Sequence, residues 1–301
     1  MAAVEIAKTM AAPEKKKTME APVKEKVPVH MTILRVVYYA IMIVTVLLYL
    51  LPFWTTVTTS LKTNNEAMTT NPLVFGSELS VEGYVESFEE LSESLVTSLL
   101  VTLGGAFGSM ALGSVCAYGL SKFRFKFDGV FFLLLSAAIY LPYQAILVPL
   151  FKTVSSLGLY DSVWGLIIIH SIYGMPMCMS MFRGFYADIP DALIKQAMVD
   201  GNGPWQIYWK IVLPNTTIAT VTVLVFQCTS VWNELLFAMT MAGSWTTPAT
   251  LALNQMVGSL SANFSTQMAG SIWLTLPVLV LYMFLGKYLI RGYMAGAVTA
   301  S

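Results

Sequence analysis

Ala187–Pro214, ADIPDALIKQAMVDGNGPWQIYWKIVLP, is a polar island between two strongly apolar runs. A connector that only reverses the chain needs neither this length nor this patterning. Asp188 and Asp191 flank Pro190, residue types favoured at a helix N-terminus, and a helical register runs from Ala192 to Val199. Asp200-Gly201-Asn202-Gly203-Pro204 then supplies cap and turn chemistry, after which Trp205, Ile207, Tyr208, Ile211 and Val212 return at helical spacing. The island reads as helix, sharp turn, helix. Leu193, Ile194, Ala197 and Met198 give the first helix an apolar stripe that a solvated connector would not need, which marks it as a docking surface.

The sequence on either side is too apolar for a water-soluble domain. Hydrophobic residues make up 56% of the 301 residues and charged ones 11%, with a mean hydropathy of +0.68, which identifies an integral membrane protein. A spanning helix needs about 20 apolar residues, and such runs lie near 33–55, 95–119, 129–150, 163–182, 212–240 and 268–290. The expected fold is therefore all-α and polytopic, with six transmembrane helices over 31–301 and kinks at Pro142 and Pro176. Basic residues set the orientation, because short cytoplasmic loops carry the Lys/Arg excess. Lys8, Lys15, Lys16, Lys17, Lys24, Lys26 and Arg35 mark the N-terminus; Lys122, Arg124 and Lys126 mark the second connection; Arg183, Lys195 and Lys210 mark the island; Lys287 and Arg291 follow the last helix. All four read as cytoplasmic, so both termini lie inside and the acidic segment 57–94 lies outside. Residues 1–30 mix Lys and Glu with Ala and Pro and read as a disordered cytoplasmic tail.

Little in the chain points to chemistry of its own. Cys116, Cys178 and Cys228 fall inside spans with no pairable spacing, and His30 and His170 stand apart from each other and from any acid cluster, so no metal is expected. Neither a nucleophile elbow, a P-loop nor a Gly-rich dinucleotide turn is present, and the chain is read as non-catalytic, without a cofactor or a nucleic-acid partner. Two polar groups are candidates for lining a pathway. Glu234 is the one carboxylate in an apolar span, where a charge costs about 3 kcal/mol unless paired or wet. Asn233 neighbours it, and Gln227, seven residues earlier, is expected on the same helical stripe. An interhelical hydrogen bond or a position near the outer surface explains Glu234 more readily than pathway lining does. Tyr140, Tyr143 and Gln144, around Pro142, form the second group, with packing or interface anchoring as the alternative. Met175, Met177, Met179 and Met181 alternate through the fourth span and suit either a soft gate surface or ordinary bundle packing.

The island resembles the cytoplasmic loop of the permease subunits of binding-protein-dependent ABC importers, in which Glu-Ala-Ala is followed by Asp-Gly and, further on, Leu-Pro. Ala197, Asp200-Gly201 and Leu213-Pro214 match, while Lys195 and Gln196 stand where that family carries Glu and Ala. Pro52-Phe53-Trp54, Thr59 to Asn64, Ala117-Tyr118 with Lys122 to Phe125, Trp232-Asn233-Glu234 and Arg291 to Val298 extend the likeness to the maltose-type second permease subunit of the carbohydrate-import branch. The resemblance implies the ABC type I importer permease fold and a carbohydrate cargo crossing a bacterial or archaeal cytoplasmic membrane. It also implies a heterodimer with a second permease, two cytosolic ATPase subunits that bind the ATP and Mg, and an extracytoplasmic solute-binding protein. Ala192, Leu193, Ile194, Lys195, Gln196, Ala197, Met198 and Val199 would be the coupling helix, and Asp200-Gly201 its closing turn. In such relatives the C-terminal tail, here Gly292 to Ser301, reaches toward the ATPase interface. The rival readings are an ion-gradient-driven secondary transporter, for which neither an internal repeat nor several midplane carboxylates are found, a non-transporting membrane scaffold or receptor subunit, and ABC import of a non-sugar cargo such as a glycerol phosphodiester.

Overall fold

The computed structural model describes residues 29–123, 125–258 and 263–298. The expected tail lies outside them up to residue 28, as does the C-terminal end beyond Val298. The chain divides at Pro52 into two units, Met1–Pro52 and Phe53–Ser301. The described part of the first is the N-terminal portion of α1 (Val29–Ser60). Its apolar side chains from Ile33 to Leu51 are exposed, as expected of a surface whose solvent is lipid.

Every regular element among the described residues of the second unit is a helix. After the end of α1 come α2 (Asn64–Thr69), α3 (Glu82–Lys122), α4 (Asp128–Ala138), a 3₁₀ turn (Tyr143–Ile146), α5 (Leu147–Ser156) and α6 (Val163–Ala187). The island follows as α7 (Asp191–Val199), α8 (Pro204–Ile207), a π turn (Tyr208–Val212) and α9 (Leu213–Asn215). The chain closes with α10 (Thr217–Trp232), α11 (Leu236–Met241), α12 (Ala249–Gly258) and α13 (Phe264–Val298). Among the described residues four helices are long and apolar enough to span a membrane, and the number reaches six if each of two bent pairs counts once. The pair around Pro142 bends by 91° and the pair Pro204–Asn215 with Thr217–Trp232 by 81°. Pro142 thus breaks its span, whereas α6 continues as a helix through Pro176. The last helix continues to Val298, beyond the expected apolar run that ends near 290.

The central helix is α3, which packs against α6, α10, α12 and α13. It meets α6 in parallel and in step: Gly105 faces His170, Ser109 faces Gly174, and Gly113 faces Cys178. Each set recurs every four residues, so the small-residue row of α3 and the row it meets on α6 each lie along one helical face. A Cβ at Gly113 would stand 2.5 Å from Cys178 Cβ, 2.7 Å from the Met179 nitrogen and 2.9 Å from the Met175 oxygen. In lipid, where apolar transfer gives helices no reason to associate, this close backbone approach supplies the dispersion contacts that hold the pair. One apolar cluster, with Ala117, Met179, Phe182, Tyr186, Tyr208 and Val223, fills the island end of the bundle; another, with Val101, Leu166, Ile169, Val231 and Phe237, fills the opposite end.

That opposite end is tied by Asp161. Its carboxylate accepts from the backbone N–H of Gly243 (2.8 Å), Trp245 (3.2 Å) and Thr246 (2.8 Å), so the turn before α6 and the segment before α12 form one piece. Slight burial raises the Asp161 pKa, but these N–H donors outweigh it and hold the carboxyl below its ordinary value. Asp161 adopts φ +52°, a left-handed conformation that Asp tolerates better than most side chains.

The α3–α6 contact predicts opposite outcomes for two glycines on the same helix. Gly119→Ala, with nothing within 4 Å of the new Cβ, should raise thermal stability in detergent by up to about 1 kcal/mol through helix propensity. Gly113→Ala should lower it by about 1–3 kcal/mol, because backbone atoms cannot yield to overpacking. Equal melting temperatures for the two variants would contradict the close approach.

Candidate functional site

The island folds locally as its residues dictate. Pro190 precedes α7 in extended conformation with Asp191 in the first turn, where the acid is favoured by the helix dipole. The helix closes by a Schellman arrangement: Gly201 N–H donates to Met198 O and Asn202 N–H to Ala197 O, both at 3.0 Å. Gly201 sits at φ +83°, which a side chain would strain. Pro204 opens α8, and Gln206 Oε1 accepts the Gly203 N–H at 3.0 Å.

Burial splits the expected stripe of α7 in two. Ile194 and Ala197 are each only 4% exposed and join the core cluster with Tyr186, Ile207 and Tyr208, so they anchor the helix to the bundle. Leu193, Met198 and Val199 are exposed, at 39%, 42% and 86%. Ala192, Lys195, Gln196, Asp200 and Gly201 are also exposed, so the two positions that depart from the Glu-Ala pattern point away from the core. Leu193 lines a groove of about 560 Å³ with Phe185, Ile189, Pro190, Pro214 and Ile218.

Three residues of α3 that the sequence did not connect with the island hold it in place. Lys122 Nζ donates to Ile189 O at 2.6 Å and pairs with Asp191 at 3.0 Å. Tyr118 OH donates to Pro204 O at 3.0 Å. Ser114 Oγ bonds Tyr186 OH at 2.6 Å and Tyr208 OH at 2.7 Å. Their spacing of four was visible in the sequence, but nothing there says what faces them.

The two groups proposed to line a pathway are not assembled into one lane. The helix that carries Gln227 ends at Trp232, and Asn233 closes it, with Nδ2 donating to Thr229 O at 2.8 Å. Glu234 lies beyond that end, so the seven-residue spacing does not put it on one face with Gln227, and the shared-stripe expectation fails. Gln227 is buried, accepting from Cys178 Sγ at 3.7 Å beside Gly174. Glu234 instead caps α11: Oε1 accepts from Leu236 N–H at 2.7 Å and from Phe237 N–H at 3.0 Å. It also lines a cavity of about 10 Å³ with Ser98, Thr102, His170 and Thr250, enough for one water and far too small for a cargo. Tyr143 packs on Phe237 (5.2 Å between ring centroids), while Tyr140 and Gln144 are exposed. On α6 the four methionines divide between two faces, Met175 with Met179 and Met177 with Met181, and of the four Met179 is buried.

The capping role of Glu234 predicts that Glu234→Ala lowers thermal stability by about 1–2 kcal/mol. Glu234→Gln keeps one acceptor oxygen and should lose less than half as much. A melting temperature unchanged in the alanine variant would remove the cap from the account.

Comparison with known proteins places this arrangement. Residues 109–295, which contain α7 and the Ser114, Tyr118 and Lys122 contacts that hold it, match the family model of the binding-protein-dependent transport system inner membrane component. The chain is 40% identical over 265 residues to a probable ABC transporter permease protein of Pyrococcus horikoshii, covering 87% of this chain and 96% of the relative. It is 30% identical to the glucose import system permease protein GlcU of Saccharolobus solfataricus (86% and 92% covered) and 29% identical to the xylose/arabinose import permease protein XacI of Haloferax volcanii (86% and 91%). Its fold is similar to a chain of a bacterial ABC transporter involved in import of the acidic polysaccharide alginate, with TM-score 0.77, 20% identity, and 87% and 99% of the two chains covered. The chain belongs to the inner-membrane permease components of binding-protein-dependent ABC transport systems.

Proposed function

We propose that this chain forms half of the translocation pathway of an ATP-driven carbohydrate importer and that α7 is the helix through which a cytosolic ATPase subunit drives it. The observation that carries the reading is the division of α7: Ile194 and Ala197 bind it to the bundle, while Leu193, Met198 and Val199 are left for another protein. The sugar-import names of the relatives GlcU and XacI support the cargo class. A second permease supplies the other half of the pathway, an extracytoplasmic solute-binding protein delivers the sugar, and two ATPase subunits bind ATP and Mg. The island and both termini lie on the cytoplasmic side, in keeping with their Lys and Arg residues. Closure of the ATPase pair draws α7 inward and turns the pathway from the cytoplasmic to the outer side. This chain binds no nucleotide, and its contribution is mechanical.

Affinity capture from the native membrane, with an ATPase assay on the eluate, tests the reading. Recovery of a second permease, an ATP-hydrolysing subunit and a sugar-loaded binding protein is the expected result. The chain alone, without hydrolysis in gentle detergent, would contradict it. Within the captured complex, Gly201→Val should leave insertion and assembly intact while uptake per ATP hydrolysed falls about tenfold, because the φ of +83° cannot be held by a β-branched residue. Unimpaired uptake would exclude Gly201 as the hinge of the docking turn.

A further inference from the structure

Taking α7 as the coupling helix, we propose that the Ser114–Tyr118–Lys122 stripe of α3 is the strut that carries its movement into the membrane helices, with these three as positioning residues for transport. Each lies four residues from the next, so all face one way, and their bonds land on both sides of α7. Lys122 holds Ile189 and Asp191, at its start. Tyr118 holds Pro204 and Ser114 holds Tyr208, past its closing turn. A helix gripped before its first turn and after its last cannot rotate or slide against α3 without breaking several bonds at once.

The covalent routes out of the island are poorer rods. Toward α10 the chain passes through the π turn Tyr208–Val212, Pro214 and an 81° bend. A π turn and a proline lack regular i→i−4 bonding, so that path is a joint that absorbs displacement. Toward α6 it passes through Asp188-Ile189-Pro190, outside any helix. By contrast, α3 runs without a break from Glu82 to Lys122, about 60 Å at 1.5 Å per residue. Its glycine contacts with α6 leave no slack between the two. Asp161, one residue before the N-cap of α6, fastens that helix to the segment carrying Gly243, Trp245 and Thr246. The stripe is thus the stiff link in a line from α7 to the far end of the bundle.

The bonds of the stripe also suit a link that transmits force without dictating the fold. Ser114, Tyr186 and Tyr208 are each nearly fully buried, and the two tyrosine rings also belong to the apolar cluster with Ala117, Phe182 and Ile207. Removing one tyrosine hydroxyl still leaves Ser114 bonded to the other tyrosine, so Phe variants keep the shape and lose the tie.

The test uses the complete transporter, captured with its binding protein, in nanodiscs, with the partly exposed Cys116 replaced by Ala and the buried Cys178 and Cys228 left in place. An environment-sensitive fluorophore is placed singly at Met198→Cys, on α7, or at Trp245→Cys, at the far end; both side chains are exposed. ATP with vanadate should change both signals in the parent. In Tyr118→Phe/Tyr208→Phe the Met198 response should persist while the Trp245 response falls about tenfold; Tyr282→Phe, which removes an exposed hydroxyl from α13, should change neither. A full Trp245 response in the double variant overturns the strut. Loss of the Met198 response already in the parent overturns instead the reading of α7 as the coupling helix. If the double variant does not assemble, Tyr118→Phe alone decides: a reduced Trp245 response with an intact Met198 response supports the strut, and an unchanged pair overturns it.

Discussion

The close approach of α3 and α6 is the constraint on which the rest of this molecule depends. Gly105 and Gly113 on α3 and Gly174 on α6 lack the side chains that would separate the two backbones, and His170, Cys178 and Ser109 occupy the space they leave. Around this pair the other helices find their places: α10 packs on both members, and α12 and α13 on α3. The polar groups that the pair buries are then matched locally, as Cys178 with Gln227. A membrane protein gains little from burying apolar surface against protein instead of lipid, so geometry of this kind, rather than hydrophobicity, determines which helices touch.

At the island end the same pair becomes a platform. Tyr186 from α6 and Ser114, Tyr118 and Lys122 from α3 meet the polar segment between the spans, and buried Ile194 and Ala197 seat α7 on it. The helix is therefore ordered before any partner arrives, and its exposed apolar residues are presented in a defined direction. Preorganisation of this sort lowers the entropy lost on docking, which makes a small surface an effective one. Glu234 belongs to a different economy: its carboxylate is consumed by the N–H groups of α11, at the turn where α10 ends.

Much of this was legible in the sequence, and the failures have physical reasons. Local chemistry was readable where it is self-contained. The helix of the island was expected over 192–199 and is found over Asp191–Val199, and Asp200-Gly201 closes it with the glycine in the left-handed conformation. Hydropathy found the apolar runs, although the run 129–150 is sharply bent and the run 212–240 is broken after Trp232. Proline alone could not tell the break at Pro142 from the uninterrupted helix through Pro176, because neighbouring helices decide whether a missing hydrogen bond is tolerated. The shared stripe of Gln227 and Glu234 assumed a helix that in fact ends at Trp232. The glycine row and the Ser114–Tyr118–Lys122 row were both present at fixed spacing, but a period names a face and not its partner.

The central claim, that α7 delivers the ATPase stroke, is tested most directly by photo-cross-linking from position 199, where Val199 is 86% exposed. A photoreactive residue placed there in the intact membrane complex should attach to the ATP-hydrolysing subunit, with a yield that changes when ATP and vanadate are added. Attachment to lipid alone, or to no ATPase in any nucleotide state, would contradict the account.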